Sequence, residues 1–321
     1  MLYSIKLSGI INFLSNLIYE IIRYNVGYME NCDYEYNEET IEIIESPKPK
    51  KFDDKYITNY SIGSGAHSTV CLATDISTKK KFCKKHIKKD MQHIFSNEFD
   101  ILSKCNHFTI LKLHEVYADE NIIVTEYLPG KTLQRIIQER KYKKLTENEI
   151  LDIFYQLCIA LHYLQSKNII HRDIKPANII VTKGGIVKLI DFGLSFLGDT
   201  SCLGCGTTHY MAPEVIKKDI YNCSIDVWSL GIVLFEMINS MHPFGGRNET
   251  EIKNSILNNK LIFYNQKCSK ELIDMTTNML DKNPKTRLII KQILNYDIMK
   301  QASNRFIEKD KKDYIDLLII P

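Results

Sequence analysis

The chain has 321 residues, 44% apolar and 25% charged, with 42 Lys and Arg against 39 Asp and Glu for a formal net charge of +3. That suffices for one large two-lobed domain, or two small ones, plus tails, and so mild a balance does not by itself point to nucleic acid. Nine cysteines, scattered from Cys32 to Cys268, exclude the disulfide framework of a small secreted scaffold and read as reduced thiols of a cytoplasmic protein.

The first predicted element is an amphipathic helix within residues 1–27. Ile10, Ile11, Phe13, Leu14, Leu17, Ile18, Ile21 and Ile22 trace one helical stripe. The uncharged run from Leu7 to Tyr19 is short for a bilayer span, and no small-residue cleavage motif follows it. Packing on the protein itself or a partner is the favoured reading. Membrane contact through residues 1–22, as an interfacial helix or an uncleaved signal anchor, is the alternative, but the polar face lacks the usual lysines and arginines. Residues 28–54, acidic and then Lys- and Pro-containing, read as a mobile linker. Strand-like and helix-like segments alternate over 55–299, and residues 300–321 form a charged tail with an apolar end, expected to fray.

Within 55–299, "YSIGSGAHSTVCLA" sets Gly63 and Gly65 between two strand-like runs. Glycine lets backbone approach a phosphate closely. Ser68 stands where a third glycine would complete GxGxxG, and "TVCLAT" continues as a strand rather than a helix, so a loop capping a nucleotide between two antiparallel strands fits better than a dinucleotide fold. The run "KKKFCKKHIKK" (79–89) follows. Alternation puts Cys83, Lys85 and Ile87 on one face and Phe82, Lys84 and His86 on the other. Lys85 is therefore the lysine expected to enter a cleft, while Lys79, Lys80, Lys81, Lys88 and Lys89 stay solvated. In the helix over "SNEFDILSKC", Glu98 lies one turn before Leu102, placed to fix the Lys85 ammonium by an ion pair. Cys202 and Cys205 have CxxC spacing. With His209 nearby but no second CxxC, two ordinary loop thiols are favoured over zinc, and a redox role is the weaker alternative.

"IIHRDIKPANIIV" and "VKLIDFGLSF", followed by "APE", "DVWSLG" and Arg287, complete an ordered set. With them the chain resembles the eukaryotic-type protein kinase family, Ser/Thr class, over roughly residues 56–299. The resemblance implies an α+β fold of two lobes: a small β-rich N-lobe (55–126) with one key helix, and a larger, mostly helical C-lobe (127–299). It implies ATP and Mg²⁺ as cofactors and proteins as substrates.

Residue by residue, it implies that Ile62, Gly63 and Gly65 cover the phosphates and that Val70, Cys83 and Ile180 sandwich adenine. Thr125 becomes the gatekeeper, with hinge backbone from Glu126 to Leu128. Lys85, paired with Glu98, holds the α and β phosphates. Asp191 and Asn178 are metal ligands, Asp173 accepts the substrate hydroxyl proton, Lys175 neutralises the γ phosphate and Thr207 contacts Asp173. Leu102, Leu113, His171 and Phe192 form an internal stack anchored by Asp226, and Glu214 pairs with Arg287.

Lys175 and Thr207 imply Ser/Thr specificity, and Leu194 after "DFG" goes with serine over threonine. Thr132, Ala177 and His209 stand where relatives that prefer upstream arginine carry acids, so that preference is not expected here. Arg172 implies a grip on a phosphorylated loop residue. Leu203 occupies a common phosphothreonine position, leaving Thr200, Ser201, a fixed Asp199, or no phosphate at all. "ILSKCNHFTILKLHEVY" and "GTTHYMAPEVI" resemble the calcium/calmodulin-dependent group, although no EF-hand loop is present. Three rival functions are a nucleotide-binding pseudokinase, a membrane-tethered scaffold and a nucleic-acid binder. The first is disfavoured by the presence of Lys85, Asp173 and Asp191, and the last by the better reading of the lysine run.

Overall fold

The computed structural model describes residues 51–318 except 141, 203, 265 and 266, with side chains described as far as residue 308. The expected helix at 1–27, the first part of the linker, and Leu203 lie outside the described residues. Lys51–Pro321 forms one compact unit. Among the described residues no helix is long and apolar enough to cross a membrane.

Five antiparallel strands make the first sheet: β1 (Tyr56–Ser64), β2 (Ser68–Asp75), β3 (Lys81–Ile87), β4 (Leu113–Tyr117) and β5 (Ile122–Glu126), in the order β1-β2-β3-β5-β4. The β2–β3 turn is tied by Asp75, whose Oδ1 accepts from the Ser77 and Thr78 amides at 3.0 and 2.7 Å. Helix α1 (Gln92–Ser103) lies on the sheet through Ile94 and Phe95, which pack with Ile87 and Ile123. The opposite end of the sheet is closed by aromatics. Phe52 stacks on Tyr56 at 5.0 Å and meets Tyr117 edge-on at 5.6 Å. Phe52 is completely buried, so the packed domain starts before residue 55 and the expected linker ends by residue 51. An apolar ring with aromatic partners outweighs the charged sequence around it.

A short sheet of β6 (Gly130–Thr132), β8 (Ile179–Thr182) and β9 (Val187–Leu189), and the pair of β7 (Ile169–Ile170) with β10 (Phe196–Leu197), carry the segments that flank the cleft. Gly130 permits the close approach of β6 to β8, since a Cβ there would lie 2.3 Å from the Val181 carbonyl oxygen. The helices are α2 (Leu133–Glu139), α3 (Glu147–Ser166), α4 (Pro213–Ile216), α5 (Ser224–Asn239), α6 (Glu249–Asn258), α7 (Lys270–Met279), α8 (Ile290–Leu294) and α9 (Asp297–Leu318). Thr146 and Glu149 form a capping box that starts α3. In α5 every residue except Ser224 and Glu236 is buried, as expected of a helix that is apolar all round.

The expected frayed tail is instead the body of α9. Tyr155 of α3 shares a 2.8 Å hydrogen bond with Ser303, Arg305 reaches Asp152 at 2.7 Å, and Phe306 packs against Phe108 and Tyr155 at 5.8 and 5.9 Å. Ala302 and Phe306, one turn apart and both buried, form a stripe narrow enough to be masked by surrounding charge.

Candidate active site

Pairing register places Val70 opposite Gly63 and Lys85, Cys83 opposite Thr125, and Lys85 opposite Ile123. Directly paired residues share a face, so Gly63, Val70, Cys83, Lys85 and Thr125 present one surface to the cleft. The predicted alternation in β3 holds: Lys85 turns inward, while Lys84 sits over the Phe52 ring at 4.2 Å. Gly65 closes the loop by donating its amide to the Ser68 carbonyl at 2.9 Å. A Cβ on Gly65 would touch nothing within 4 Å, and one on Gly63 only Val70 at 3.9 Å. The fold does not itself need glycine there, so the space left open is available to a close-approaching ligand.

The Lys85 ammonium bonds both oxygens of Glu98, at 2.7 and 2.6 Å, and Asp191 Oδ1 at 2.8 Å. Burial opposes its charge, but the two carboxylates outweigh that and hold its pKa above the ordinary lysine value. Glu98 is 1% exposed; burial pushes its carboxyl above the ordinary carboxylate range, and the contact of both its oxygens with the Lys85 ammonium opposes that rise. Burial likewise pushes the Asp191 carboxyl up, and Lys85 more than reverses this, leaving it below the usual carboxylate range. Asp191 and Arg172 both take left-handed backbone, each with φ of 66°, a conformation that surrounding contacts must enforce. For Arg172 those contacts come from Asp226, which accepts from the amides of His171 at 2.7 Å and Arg172 at 2.9 Å. Burial still raises the Asp226 carboxyl, to about 6, despite both donors.

Asp173 is held on both carboxylate oxygens. Oδ1 accepts from the Thr207 amide at 3.1 Å and its hydroxyl at 2.8 Å; Oδ2 accepts from Lys175 Nζ at 2.7 Å and Asn178 Nδ2 at 2.9 Å. Lys175 Nζ also reaches Thr207 Oγ1 at 2.8 Å. Four expected residues therefore form one hydrogen-bonded cluster, and Lys85, Glu98 and Asp191 form a second. Of the expected stack, His171 and Phe192 meet edge to face at 4.8 Å. Leu102 is buried, and Leu113 packs with Ile94 and Phe95.

On the adenine side, Ile180 pairs with Thr132 and Lys188, and burial raises the Cys83 thiol to about 11. Ile62 is exposed on β1. The Glu126 side chain accepts from the Lys112 amide at 2.8 Å and from Lys188 Nζ at 2.6 Å, leaving the hinge to act through its backbone. Arg172, expected to grip a phosphate, donates Nε to the Leu194 carbonyl at 2.6 Å and lies over Phe196 at 5.4 Å.

Three participants escaped the sequence reading. Asn97, beside Glu98, donates its side-chain amide to the carbonyls of Gly193 at 3.1 Å and Ser195 at 2.8 Å, binding α1 to the segment after Asp191. Lys188 joins β9 to the hinge. Glu236 accepts the Tyr210 hydroxyl at 3.1 Å on both oxygens, behind the segment that carries Thr207. Burial pushes the Glu236 carboxyl up to about 7, well above its ordinary 4.5, with the Tyr210 hydrogen bond opposing. The folded chain then keeps this proton over a range in which the unfolded chain has lost it. Its stabilising effect is complete below about pH 4.5 and is lost as pH rises through about 7. Thermal melts across that window should show stability falling with pH in the wild type and a flatter profile in Glu236→Gln; parallel profiles would refute the assignment.

Residues 56–299 match the family model described as the protein kinase domain. Over 289 residues the chain is 32% identical to a probable serine/threonine-protein kinase nek1 of Dictyostelium discoideum, covering 81% of this chain and 59% of that protein. It is 34% identical over 249 residues to the serine/threonine-protein kinase Nek11 of Homo sapiens, covering 73% and 38%, and 31% identical over 276 residues to an Aurora kinase of Dictyostelium discoideum, covering 83% and 71%. The chain thus spans well under two thirds of the length of the first two relatives. With the domain match extending over the sheet, the cleft and most of the helical lobe, this chain belongs to the protein kinase family, in its serine/threonine class.

Proposed function

We propose that the chain is an active kinase that transfers the γ-phosphate of ATP to serine hydroxyls of proteins, with threonine less favoured because Leu194 follows Gly193. The observation that carries this reading is the pairing of two intact clusters: Lys85 fixed between Glu98 and Asp191, and Asp173 held on both oxygens. Phosphoryl transfer needs cations in fixed places and an oriented nucleophile, and little covalent chemistry. Lys85 holds the α and β phosphates beneath Ile62, Gly63 and Gly65. Val70, Cys83 and Ile180 enclose adenine, with Thr125 at the back and the Glu126–Leu128 backbone at its edge. Asp173 orients the substrate hydroxyl and accepts its proton, and Lys175 meets the charge on the transferred group.

The residues fit Mg²⁺. The Asp191 side chain is 45% exposed, so a carboxylate oxygen is accessible. Asn178 commits its nitrogen to Asp173, at 2.9 Å to the carbonyl and to Oδ2, which leaves its carbonyl oxygen for a cation. Two hard oxygen donors suit a metal that keeps waters and phosphates as its remaining ligands. When bound, the metal neutralises phosphate charge. ATP titrations should show affinity rising with Mg²⁺ in the wild type. Removing groups that merely orient metal ligands costs ~10–100-fold in metal affinity, so Asp191→Asn should lose at least that much of the Mg²⁺ effect. An unchanged magnesium dependence would contradict the metal-ligand role.

The lysine run supports no nucleic-acid partner, since Lys85 lies in the cleft and Lys88 donates to the Ala66 carbonyl at 2.6 Å. The nine cysteines are odd in number and scattered from Cys32 to Cys268, which favours a cytoplasmic location over a disulfide-framed secreted one. Membrane contact through residues 1–22 remains the less favoured alternative.

A further inference from the structure

We propose that Lys88 is a positioning residue for the nucleotide: its ammonium holds the tip of the phosphate-covering loop in place before ATP arrives. The inference rests on the kinase reading above, in which Ile62, Gly63 and Gly65 cover the phosphates.

Packing does little to hold that loop. Residues 61–67 are all exposed, and a Cβ on Gly65 would touch nothing within 4 Å. Its two glycines raise the entropy lost when it orders. Strand pairing ends on one side at Ser64 opposite Thr69, and on the other at Ser68 opposite Ile87. Ala66 and His67 therefore form a tip beyond both ladders. Lys88 reaches this tip twice. Its amide donates to the His67 carbonyl at 3.0 Å, and its Nζ donates to the Ala66 carbonyl at 2.6 Å. A hydrogen bond from an ammonium is stronger than one between neutral groups.

The root of this side chain is firm. Ile87, the residue before it, is completely buried with Ile94, Phe95 and Ile123. The Lys88 carbonyl accepts from the Met91 amide at 2.9 Å, in the single turn Lys89–Met91 that leads into α1. Lys88 thus follows Lys85 by three positions and stands at the entry to the helix that carries Glu98. One residue ties the loop tip to the strand and the helix that hold the Lys85–Glu98 pair.

Each peptide unit is planar, so a carbonyl held in place also fixes the amide of the next residue. By gripping Ala66 and His67, Lys88 sets the amides of His67 and Ser68. Donors oriented in advance need no reorganisation when charge arrives, whereas a free tip must lose its conformational entropy on binding.

The test measures binding of ATP and of adenosine to the full chain by calorimetry, with Mg²⁺ present, beside steady-state kinetics. Lys88→Met keeps the aliphatic stem and removes the donor. A net hydrogen bond of this kind is worth ~3–10-fold in affinity, so Lys88→Met should bind ATP that much more weakly and raise its KM to match. Adenosine, which lacks phosphates, should bind as before, and kcat should stay unchanged. Lys88→Arg keeps a charged donor and should recover most of the loss. Lys89→Met removes the same charge one residue further on and should bind ATP as the wild type does. The proposal is overturned if Lys88→Met binds ATP normally, or if kcat falls while KM stays. It is also overturned if adenosine affinity falls equally, as general damage to the sheet would cause, or if Lys89→Met loses as much, as loss of charge alone would cause. Wild-type protein that binds ATP no more tightly than adenosine would overturn the phosphate site and the kinase reading with it, and that comparison, independent of any variant, separates the two failures.

Discussion

Asp173→Asn should lower kcat by ~10²–10⁴-fold, the range typical of removing a positioned general base, while ATP still binds. The carboxylate accepts from Thr207 on one oxygen and from Lys175 and Asn178 on the other. An amide cannot serve both sides, because one of its two ends is a donor and would face donors. Thr207 or Lys175 must then move, and the substrate hydroxyl loses both its acceptor and its orientation. Lys85, Glu98 and Asp191 form their own cluster, so nucleotide affinity should change little. Steady-state kinetics with ATP titrations separate the two effects. A variant with wild-type kcat would remove Asp173 from the chemistry, and one that neither binds ATP nor melts cooperatively would show that the residue supports the fold.

The largest stability effect should come from Arg287→Ala. The Arg287 side chain is completely buried and Glu214 is 4% exposed; they pair at 2.7 and 2.9 Å. Arg287 also donates to the carbonyls of Ser224 and Asp281, both at 3.0 Å, and lies over Trp228 at 5.2 Å. Its removal strands the Glu214 charge and leaves two carbonyls without this donor, and breaking such a pair costs ~3–5 kcal/mol. For a domain of this size each kcal/mol lowers Tm by ~2–4 °C, so the drop should be on the order of 10 °C. The double variant Glu214→Leu with Arg287→Met should melt above Arg287→Ala, because it leaves no buried charge unpaired. A shift within about 0.5 kcal/mol, the range of an ordinary surface substitution, would show that the pair is not needed.

The Lys85–Glu98 pair was legible from local pattern, whereas Asp191 and the Asp173 cluster were legible only through the resemblance carried by the ordered motifs. The period-two alternation of β3, which sets Lys85 between Cys83 and Ile87 on one face, singled it out from the six other lysines of the run, and helical spacing brought Glu98 to it. Residues that act through backbone carbonyls left no such trace. Asn97 serves the segment after Phe192 by donating to main-chain oxygens, which carry no sequence information. Glu236 did leave a trace, as the lone acid within the otherwise buried run of α5 that follows Trp228. Lys188 pairs with Glu126 across 62 positions, a contact that neither local period reveals. The boundaries shifted for a related reason: Phe52, Ala302 and Phe306 are sparse apolar residues in polar and charged stretches, and their burial depends on partners elsewhere in the chain.

γ-Phosphate transfer by the purified, reduced full chain is the most direct measurement of the proposed activity. With labelled ATP, Mg²⁺ and a general protein substrate, the label should appear on serine more than threonine and disappear when the metal is chelated. Protein that binds ATP yet labels neither substrate nor itself under any of these conditions would contradict it.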